Sequence, residues 1–200
     1  MPYAFRRSMP GRWRNCAAIA MVAICSATLT YARAPLVRPP TLGEKAPPFA
    51  LAALGGHQIT LASELGHGPV VLVLLRGWPG YQCPFCTKQF ADFLDHAHDF
   101  EAAGARVVWV YPGPADQVQP RATEFTANRV LPSHFLLTID PDYAFTNAYG
   151  LRWDAPNETA YPATFVIDRT GVVRFVQVST DHGHRALATD VIAALAAIVR

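Results

Sequence analysis

The arrangement of apolar and polar positions along the chain predicts strands that alternate with helices. Val70–Leu75 and Arg106–Tyr111 are nearly continuous apolar runs rich in β-favouring residues, which is typical of strands buried on both faces. Between these runs, apolar residues recur at three- and four-residue spacing from Phe90 to Phe100. This spacing predicts one helix that begins near Cys83 and ends at Gly104, where a C-terminal cap belongs.

The rest of the chain continues the same alternation. The further predicted elements are a hairpin of Phe49–Leu54 and Gln58–Leu61, a helix over Ala115–Asn128, a strand at Phe135–Ile139, two helical turns in Asp142–Tyr149, strands at Thr164–Ile167 and Val172–Val178, and a last helix over Ala186–Val199. The apolar side of the last helix is predicted to contain Leu187, Val191, Ile192, Leu195 and Ile198. This order of elements predicts an α/β fold with a central mixed β-sheet and helices on both faces.

The N-terminal segment has a different character from the remainder. Residues 1–34 hold five arginines and no acid, and they contain an apolar run from Cys16 to Leu29 followed by small residues up to Ala34. This pattern predicts a signal peptide for export, with an uncleaved N-terminal membrane anchor as the alternative. The run is shorter than the roughly 20 apolar residues of a comfortable span. We therefore expect a periplasmic or other extracytoplasmic protein, with a proline-rich linker at residues 35–48 and one domain at residues 49–200.

Charge and motifs exclude several classes of partner. Residues 35–200 carry 12 basic and 15 acidic side chains, so they offer no cationic surface of the kind that neutralises phosphate backbones. Nucleic acid is therefore not an expected partner. The sequence also shows no metal, flavin or nucleotide motif, and no cofactor is predicted.

The cysteines point to reactivity rather than to a structural role. Cys16 and Cys25 fall within the predicted signal, which leaves Cys83 and Cys86 in the mature protein. An exported domain with one closely spaced pair does not resemble a disulfide scaffold. A bridge across two residues also closes too small a loop to stabilise the fold through chain entropy.

The position of this pair suits thiol chemistry. Cys83 is predicted at the start of a helix, where free N–H groups and the helix dipole stabilise a thiolate, the nucleophilic form of cysteine. Pro84 fits the first turn without losing a hydrogen bond, and the three-residue step places both sulfurs on one face. Half of a zinc site, completed by His182 and His184, is the main alternative, but one intervening residue is narrow spacing for such ligands.

The segment Pro79-Gly80-Tyr81-Gln82-Cys83-Pro84-Phe85-Cys86 and the later segment Ala160–Phe175 resemble the redoxin group of the thioredoxin-like superfamily. This group contains peroxiredoxins (the AhpC/TSA family) and thioredoxin-like disulfide oxidoreductases. The similarity extends from about Thr41 to the C-terminus and implies a thioredoxin-like fold. It also implies that Pro162, just before a strand, has a cis peptide bond and faces the cysteine pair.

The resemblance implies two ways of using the cysteines. In a peroxiredoxin-like thiol peroxidase, Cys86 would attack the peroxide and Cys83, which replaces the hydroxyl residue of the family motif, would resolve the product. In a thioredoxin-like protein disulfide oxidoreductase, Cys83, expected to be the more exposed, would attack and Cys86 would resolve. Either protein would act on a peroxide or a protein disulfide and would need an external thiol reductant. A redox-inactive binding module with the same fold is a third alternative.

Five residues besides the cysteines are predicted to complete the site. The resemblance implies that Arg185, before the last helix, polarises the peroxide and holds the thiolate, and Arg76 is a second candidate for that role. Trp78 and Tyr81 flank the pair and are expected to shape a substrate groove, together with Pro162 and Arg76.

Overall fold

The computed structural model describes residues 38–127 and 129–198. The predicted signal or anchor at residues 1–34 and the start of the predicted linker lie outside the described residues. In the part of the chain that is described, no helix is both long and apolar enough to cross a membrane.

A seven-stranded sheet forms the centre of the fold, in the order β2-β1-β5-β4-β3-β6-β7. Its strands are β1 (Ala50–Ala53), β2 (Gln58–Thr60), β3 (Val70–Leu74), β4 (Arg106–Gly113), β5 (Phe135–Pro141), β6 (Ala163–Ile167) and β7 (Val173–Val178). The strands β3, β4 and β5 are parallel to one another, whereas β1 and β6 pair antiparallel at either side of them. The sheet is therefore mixed, as the order of elements predicts.

Six helices accompany the sheet in the described residues. They are α1 (Leu61–His67), α2 (Pro84–Asp95), α3 (Ala97–Ala102), α4 (Val118–Thr126), α5 (Ala144–Ala148) and α6 (Ala188–Ile198). Residues of α2, α4 and α6 pack with Trp109 on one face of the sheet, and residues of α1 and α5 pack on the other. This layered arrangement is the predicted thioredoxin-like α/β fold, with β3 fully buried between β4 and β6.

The predicted helix from Cys83 to Gly104 is wrong in one respect, because it breaks at His96. The Nδ1 atom of His96 hydrogen bonds the carbonyl oxygen of Asp92 at 2.8 Å, which is the acceptor that the backbone N–H of His96 would use in a continuous helix. That N–H bonds Leu94 instead, and the residue leaves helical geometry. Phe93 and Phe100 still stack across the break with centroids 5.1 Å apart.

The last helix also differs from its prediction. Leu187 precedes α6 and is 56% exposed, so its expected place on the buried side is wrong, whereas Val191 and Leu195 are buried there. A contact from α2 sets the position at which α6 begins. The Asp92 carboxylate accepts the backbone N–H of Ala188 at 2.8 Å, which satisfies an unpaired donor at the start of α6.

Candidate active site

The two cysteines lie where β3 leads into α2. Cys83 is the N-cap of α2, Pro84 occupies the first turn, and Cys86 lies within that turn. The two cysteine residues approach each other to 3.4 Å, and both are free thiols. The expectation that Cys83 is the more exposed is wrong: Cys83 is 1% and Cys86 2% exposed, because both pack into the apolar core.

The surroundings shift the pKa values of the two thiols in opposite directions. A hydrogen bond from Cys86, opposed by burial and assisted by backbone N–H groups and the charge of Arg185, lowers the pKa of Cys83. Burial and the hydrogen bond that it gives to Cys83 raise the pKa of Cys86. The helix start therefore favours a thiolate at Cys83 and a neutral thiol at Cys86.

Arg185 lies beside the pair, as the resemblance implies. It belongs to the segment between β7 and α6, and its Nη2 atom is 3.8 Å from Cys83 Sγ. Its Nε atom donates to the carbonyl oxygen of His182 at 2.9 Å, which holds the guanidinium in place. Its Nη1 atom is buried without a hydrogen-bond partner. A buried donor without an acceptor costs free energy unless a ligand completes it.

Arg76 contributes to the site in a way that the sequence did not predict. Its backbone N–H hydrogen bonds Cys86 Sγ at 3.3 Å, but its buried guanidinium donates elsewhere. The acceptors are Glu158 Oε2 at 2.9 Å, the Tyr81 hydroxyl at 2.8 Å and the carbonyl oxygen of Asn157 at 2.8 Å. The side chain of Arg76 thus braces the loop before the cysteines, and no hydrogen bond joins its guanidinium to either sulfur.

Glu158 is a site residue that the sequence analysis missed. Its second oxygen, Oε1, bonds His182 Nε2 at 2.9 Å, so one carboxylate joins the Arg76 side to the Arg185 side of the site. No local pattern could have identified it, because 82 positions separate Glu158 from Arg76. His182 is occupied by this contact, and the described residues contain no group of three His, Cys, Asp or Glu side chains suited to a metal ion.

The predicted groove residues lie in the loop and strand next to the pair. Tyr81 is 48% exposed, and Trp78 is half-buried, with the Arg121 guanidinium 3.9 Å from the ring centroid. Pro162 immediately precedes β6, whose Ala163 pairs with Leu74 at the end of β3. The expected cis bond at Pro162 is wrong, since all peptide bonds in the described residues are trans.

Comparison with known proteins identifies the family to which the chain is related. The redoxin family model matches residues 41–192. A Mycobacterium tuberculosis protein provisionally assigned as a peroxiredoxin is 32% identical over 142 residues, which are 68% of this chain and 84% of that protein.

Two solved structures extend the comparison. The peroxidoxin BcpB from Mycobacterium tuberculosis has a TM-score of 0.64 and 25% identity, covering 80% of this chain and 98% of that one. A structure provisionally assigned as the thiol:disulfide interchange protein DsbE from Chlorobium tepidum has a TM-score of 0.58 and 27% identity, covering 78% and 99%. With its paired thiols at the start of α2 and its thioredoxin-like sheet, the chain belongs to the redoxin family as a peroxiredoxin-like thiol oxidoreductase.

Proposed function

We propose that this protein reduces peroxides through a cycle in which Cys83 attacks and Cys86 resolves. The observation that carries the proposal is the guanidinium of Arg185, with Nη2 3.8 Å from Cys83 Sγ and Nη1 buried and unpartnered. The oxygen that leaves a peroxide gains negative charge as the O–O bond breaks. A fixed guanidinium beside the thiolate, with one N–H group free to donate, can stabilise that charge.

The first step oxidises the attacking sulfur. The Cys83 thiolate attacks the terminal oxygen of the peroxide, an S–O bond forms, and the O–O bond breaks. The electron pair of that bond leaves with the second oxygen, which takes up a proton as an alcohol or as water. Cys83 becomes a sulfenic acid, and Arg185 stabilises the departing oxygen through its donors.

The second step forms the disulfide. The Cys86 sulfur attacks the sulfenic sulfur of Cys83, an S–S bond forms, and water leaves with the oxygen. The two residues lie within 3.4 Å of each other at the start of one helix, which favours formation of an S–S bond of about 2.05 Å. An external thiol reductant then restores both thiols by exchange.

This assignment differs from the one implied by the peroxiredoxin motif, in which Cys86 attacks. We favour Cys83 because Arg185 Nη2 lies 3.8 Å from its sulfur and because it is the N-cap of α2, a position that lowers the pKa of its thiol. A larger thiolate fraction at neutral pH makes Cys83 the more available nucleophile.

The test is single-turnover oxidation of the reduced protein by hydrogen peroxide, with sulfenic acid trapped and located by mass spectrometry. We expect a trapped sulfenic acid on Cys83 in Cys86→Ser, and a loss of at least about tenfold in rate in Arg185→Met. Arg169→Met, at an exposed arginine bonded to the carbonyl oxygen of His67, is the matched control and should react as the wild type does. A sulfenic acid found on Cys86 in Cys83→Ser, formed at the wild-type rate, would reverse the assignment of roles.

Thiol–disulfide exchange is the second candidate function. It is supported by the likeness to the DsbE structure and by the position of Cys83 at a helix N-cap, which suits attack on a protein disulfide. Rapid reduction of a protein disulfide, together with slow reaction with peroxide, would favour this candidate.

We further propose that residues 1–34 direct export, with a membrane tether if the segment is retained. The arginines followed by an apolar run support this. The mature N-terminus, read by mass spectrometry of the fractionated native protein, tests it: a start close to Ala34 supports cleavage, and an intact Met1 in the membrane fraction supports an anchor.

A further inference from the structure

The Arg185 side chain comes from a segment without helix or strand that connects β7 to α6. Within this segment, the carboxylate of Asp181 accepts the backbone N–H groups of Gly183 and His184 at 2.7 and 2.8 Å. The hydroxyl of Ser179 donates to the carbonyl oxygen of His184. These local bonds close a turn, but they do not fix the position of that turn relative to the cysteine pair.

The side chain of His182 attaches this turn to a distant part of the chain. Its Nε2 atom lies 2.9 Å from Glu158 Oε1, and its ring centroid is 5.4 Å from that of Trp153. The backbone carbonyl oxygen of the same histidine accepts Arg185 Nε at 2.9 Å. One residue therefore connects the Arg185 guanidinium to a carboxylate that is 24 positions away in the sequence.

Glu158 is held in turn by the residues that contact Cys86. Its Oε2 atom accepts Arg76 Nε at 2.9 Å, and its side chain is only 12% exposed. The next residue, Thr159, donates its hydroxyl to the carbonyl oxygen of Arg76. The backbone N–H of Arg76 bonds Cys86 Sγ at 3.3 Å. Glu158 therefore has a fixed position relative to the start of α2.

The charge of Glu158 strengthens both of its contacts. Burial opposes ionisation of this carboxyl group, but the hydrogen bonds from Arg76 and His182 outweigh burial and lower its pKa. The group is therefore ionised at neutral pH and accepts from both neighbours. Because an ionised carboxylate only accepts, the Nε2 atom of His182 carries the hydrogen of the bond.

The position of the Arg185 guanidinium matters because its Nη2 atom is only 3.8 Å from Cys83 Sγ. A donor stabilises a developing charge best when it is already in place before the reaction. A misplacement of about 1 Å can cost about a hundredfold in rate. A long side chain on an irregular segment loses much conformational freedom when it is held in one position, so it needs an anchor.

We propose that His182 is a positioning residue, which holds the Arg185 guanidinium beside Cys83 through its hydrogen bond to Glu158. The proposal rests on the proposed peroxidase function and deepens it, because it names a further residue on which the rate of peroxide reduction depends. His182 acts through its carbonyl oxygen, which receives Arg185 Nε. Its loss should therefore change those properties of Cys83 that the guanidinium controls.

The first test is single-turnover oxidation of the reduced protein by hydrogen peroxide. The pKa of Cys83 is about 5, so at about pH 7.5 its thiolate is almost fully formed even after a rise of about 1 unit. A change in rate at this pH then reports on charge stabilisation during the reaction. We expect His182→Ala to slow the reaction at least about fivefold, because the guanidinium is no longer held in place.

Three variants show whether the hydrogen bond is responsible. His182→Gln should react within about twofold of the wild type, since an amide N–H can donate to Glu158 as the imidazole does. His182→Leu retains apolar contact with Trp153 but cannot donate, and it should be as slow as His182→Ala. His184→Ala, at an exposed histidine of the same turn, is the matched control and should react at the wild-type rate.

A double-mutant cycle shows whether His182 acts through Arg185. In the Arg185→Met background, His182→Ala should slow the reaction by less than about twofold, because the group that it positions is absent. An equal loss in both backgrounds would mean that His182 affects the rate by another route, and it would overturn the proposal.

The pH midpoint of Cys83 alkylation by iodoacetamide gives a readout that does not require peroxide. The hydrogen bond from Cys86 is the largest cause of the low pKa of Cys83, and the charge of Arg185 contributes to it. We expect the midpoint, with the alkylated residue located by mass spectrometry, to rise by about 1 unit in Arg185→Met and by about half a unit in His182→Ala. It should be unchanged in His184→Ala.

The outcomes distinguish this inference from the function on which it rests. A wild type that reduces hydrogen peroxide, with His182→Ala and His182→Leu equally fast, would overturn the positioning role and leave the peroxidase intact. A wild type that does not react with hydrogen peroxide would refute the peroxidase function. The alkylation midpoint would then decide the positioning role alone: a rise in His182→Ala would support it, and an unchanged midpoint would overturn it.

Discussion

The hydrogen bond between the two cysteines can be tested by changing only its donor. The bond from Cys86 is the largest cause of the lowered pKa of Cys83, which is about 5. Cys86→Ala removes the donor, whereas Cys86→Ser replaces the thiol with a hydroxyl that can donate to the same sulfur. The serine variant is therefore the matched control for the alanine variant.

The size of the effect follows from the strength of such a bond. A hydrogen bond to a charged group contributes about 1.5 to 3 kcal/mol, and one pKa unit corresponds to about 1.4 kcal/mol. We expect the pKa of Cys83 to rise by about 1 to 2 units in Cys86→Ala, and by less than about 1 unit in Cys86→Ser. At about pH 6, the thiolate fraction would fall from about nine-tenths to between about one-half and one-tenth in the alanine variant.

The assay is the rate of iodoacetamide alkylation as a function of pH, checked by the ultraviolet absorbance of the thiolate. The chain also contains Cys16 and Cys25, so the alkylated residue is located by mass spectrometry and the midpoint is determined for Cys83 alone. Circular dichroism at each pH confirms that the fold is retained. A midpoint that is the same in the alanine variant and the wild type would refute the argument. A low midpoint retained by Cys83→Ser would place the thiolate on Cys86 instead.

Three further predictions test the surroundings of the site and the stability of the fold. Gly77→Ala should abolish most peroxide reduction, because a Cβ there would lie 2.1 Å from the Pro112 carbonyl oxygen. Gly80→Ala is the control: Gly80 also has a positive φ, but no atom lies within 4 Å of its Cβ position. Comparing the rates of the two variants separates the effect of the clash from that of backbone strain. Burial raises the pKa of Asp168, but hydrogen bonds outweigh burial and lower it to about 2. Because this pKa is below the unfolded value, the stabilisation of about 2 kcal/mol is present above about pH 4 and is lost as the pH falls towards 2. The free energy of unfolding of Asp168→Asn, measured in urea, should therefore depend less on pH in that window than that of the wild type. Phe93→Ala should lower the free energy of unfolding by about 3 to 5 kcal/mol, since Phe93 is fully buried, and a loss below about 1 kcal/mol would contradict its place in the core.

Much of the fold could be predicted because it depends on local patterns. Each predicted strand in the described residues is present, and the hairpin of β1 and β2 is antiparallel as expected. The helix α1 was not predicted. It begins at Leu61 after the N-cap Thr60, whose side chain accepts the N–H of Ser63 in a reciprocal capping pair. The capping residues are visible in the sequence, but the helix that follows has only seven residues. The break at His96 was missed because the spacing of apolar residues indicates only which face of a helix is buried. It does not show that a side chain, here that of His96, bonds the carbonyl oxygen that a helical N–H would use.

The alternation of strands and helices and the position of the cysteine pair at a helix start could be predicted from the period of apolar positions and from the residues that a helix N-terminus accepts. The arginine that approaches the pair was expected only from the resemblance to redoxins. The three-dimensional structure was needed to show that Cys83 is as buried as Cys86, that the Arg76 side chain bonds Glu158, and that Leu187 is exposed. Burial and hydrogen-bond partners depend on contacts between residues far apart in the chain, which no local spacing specifies.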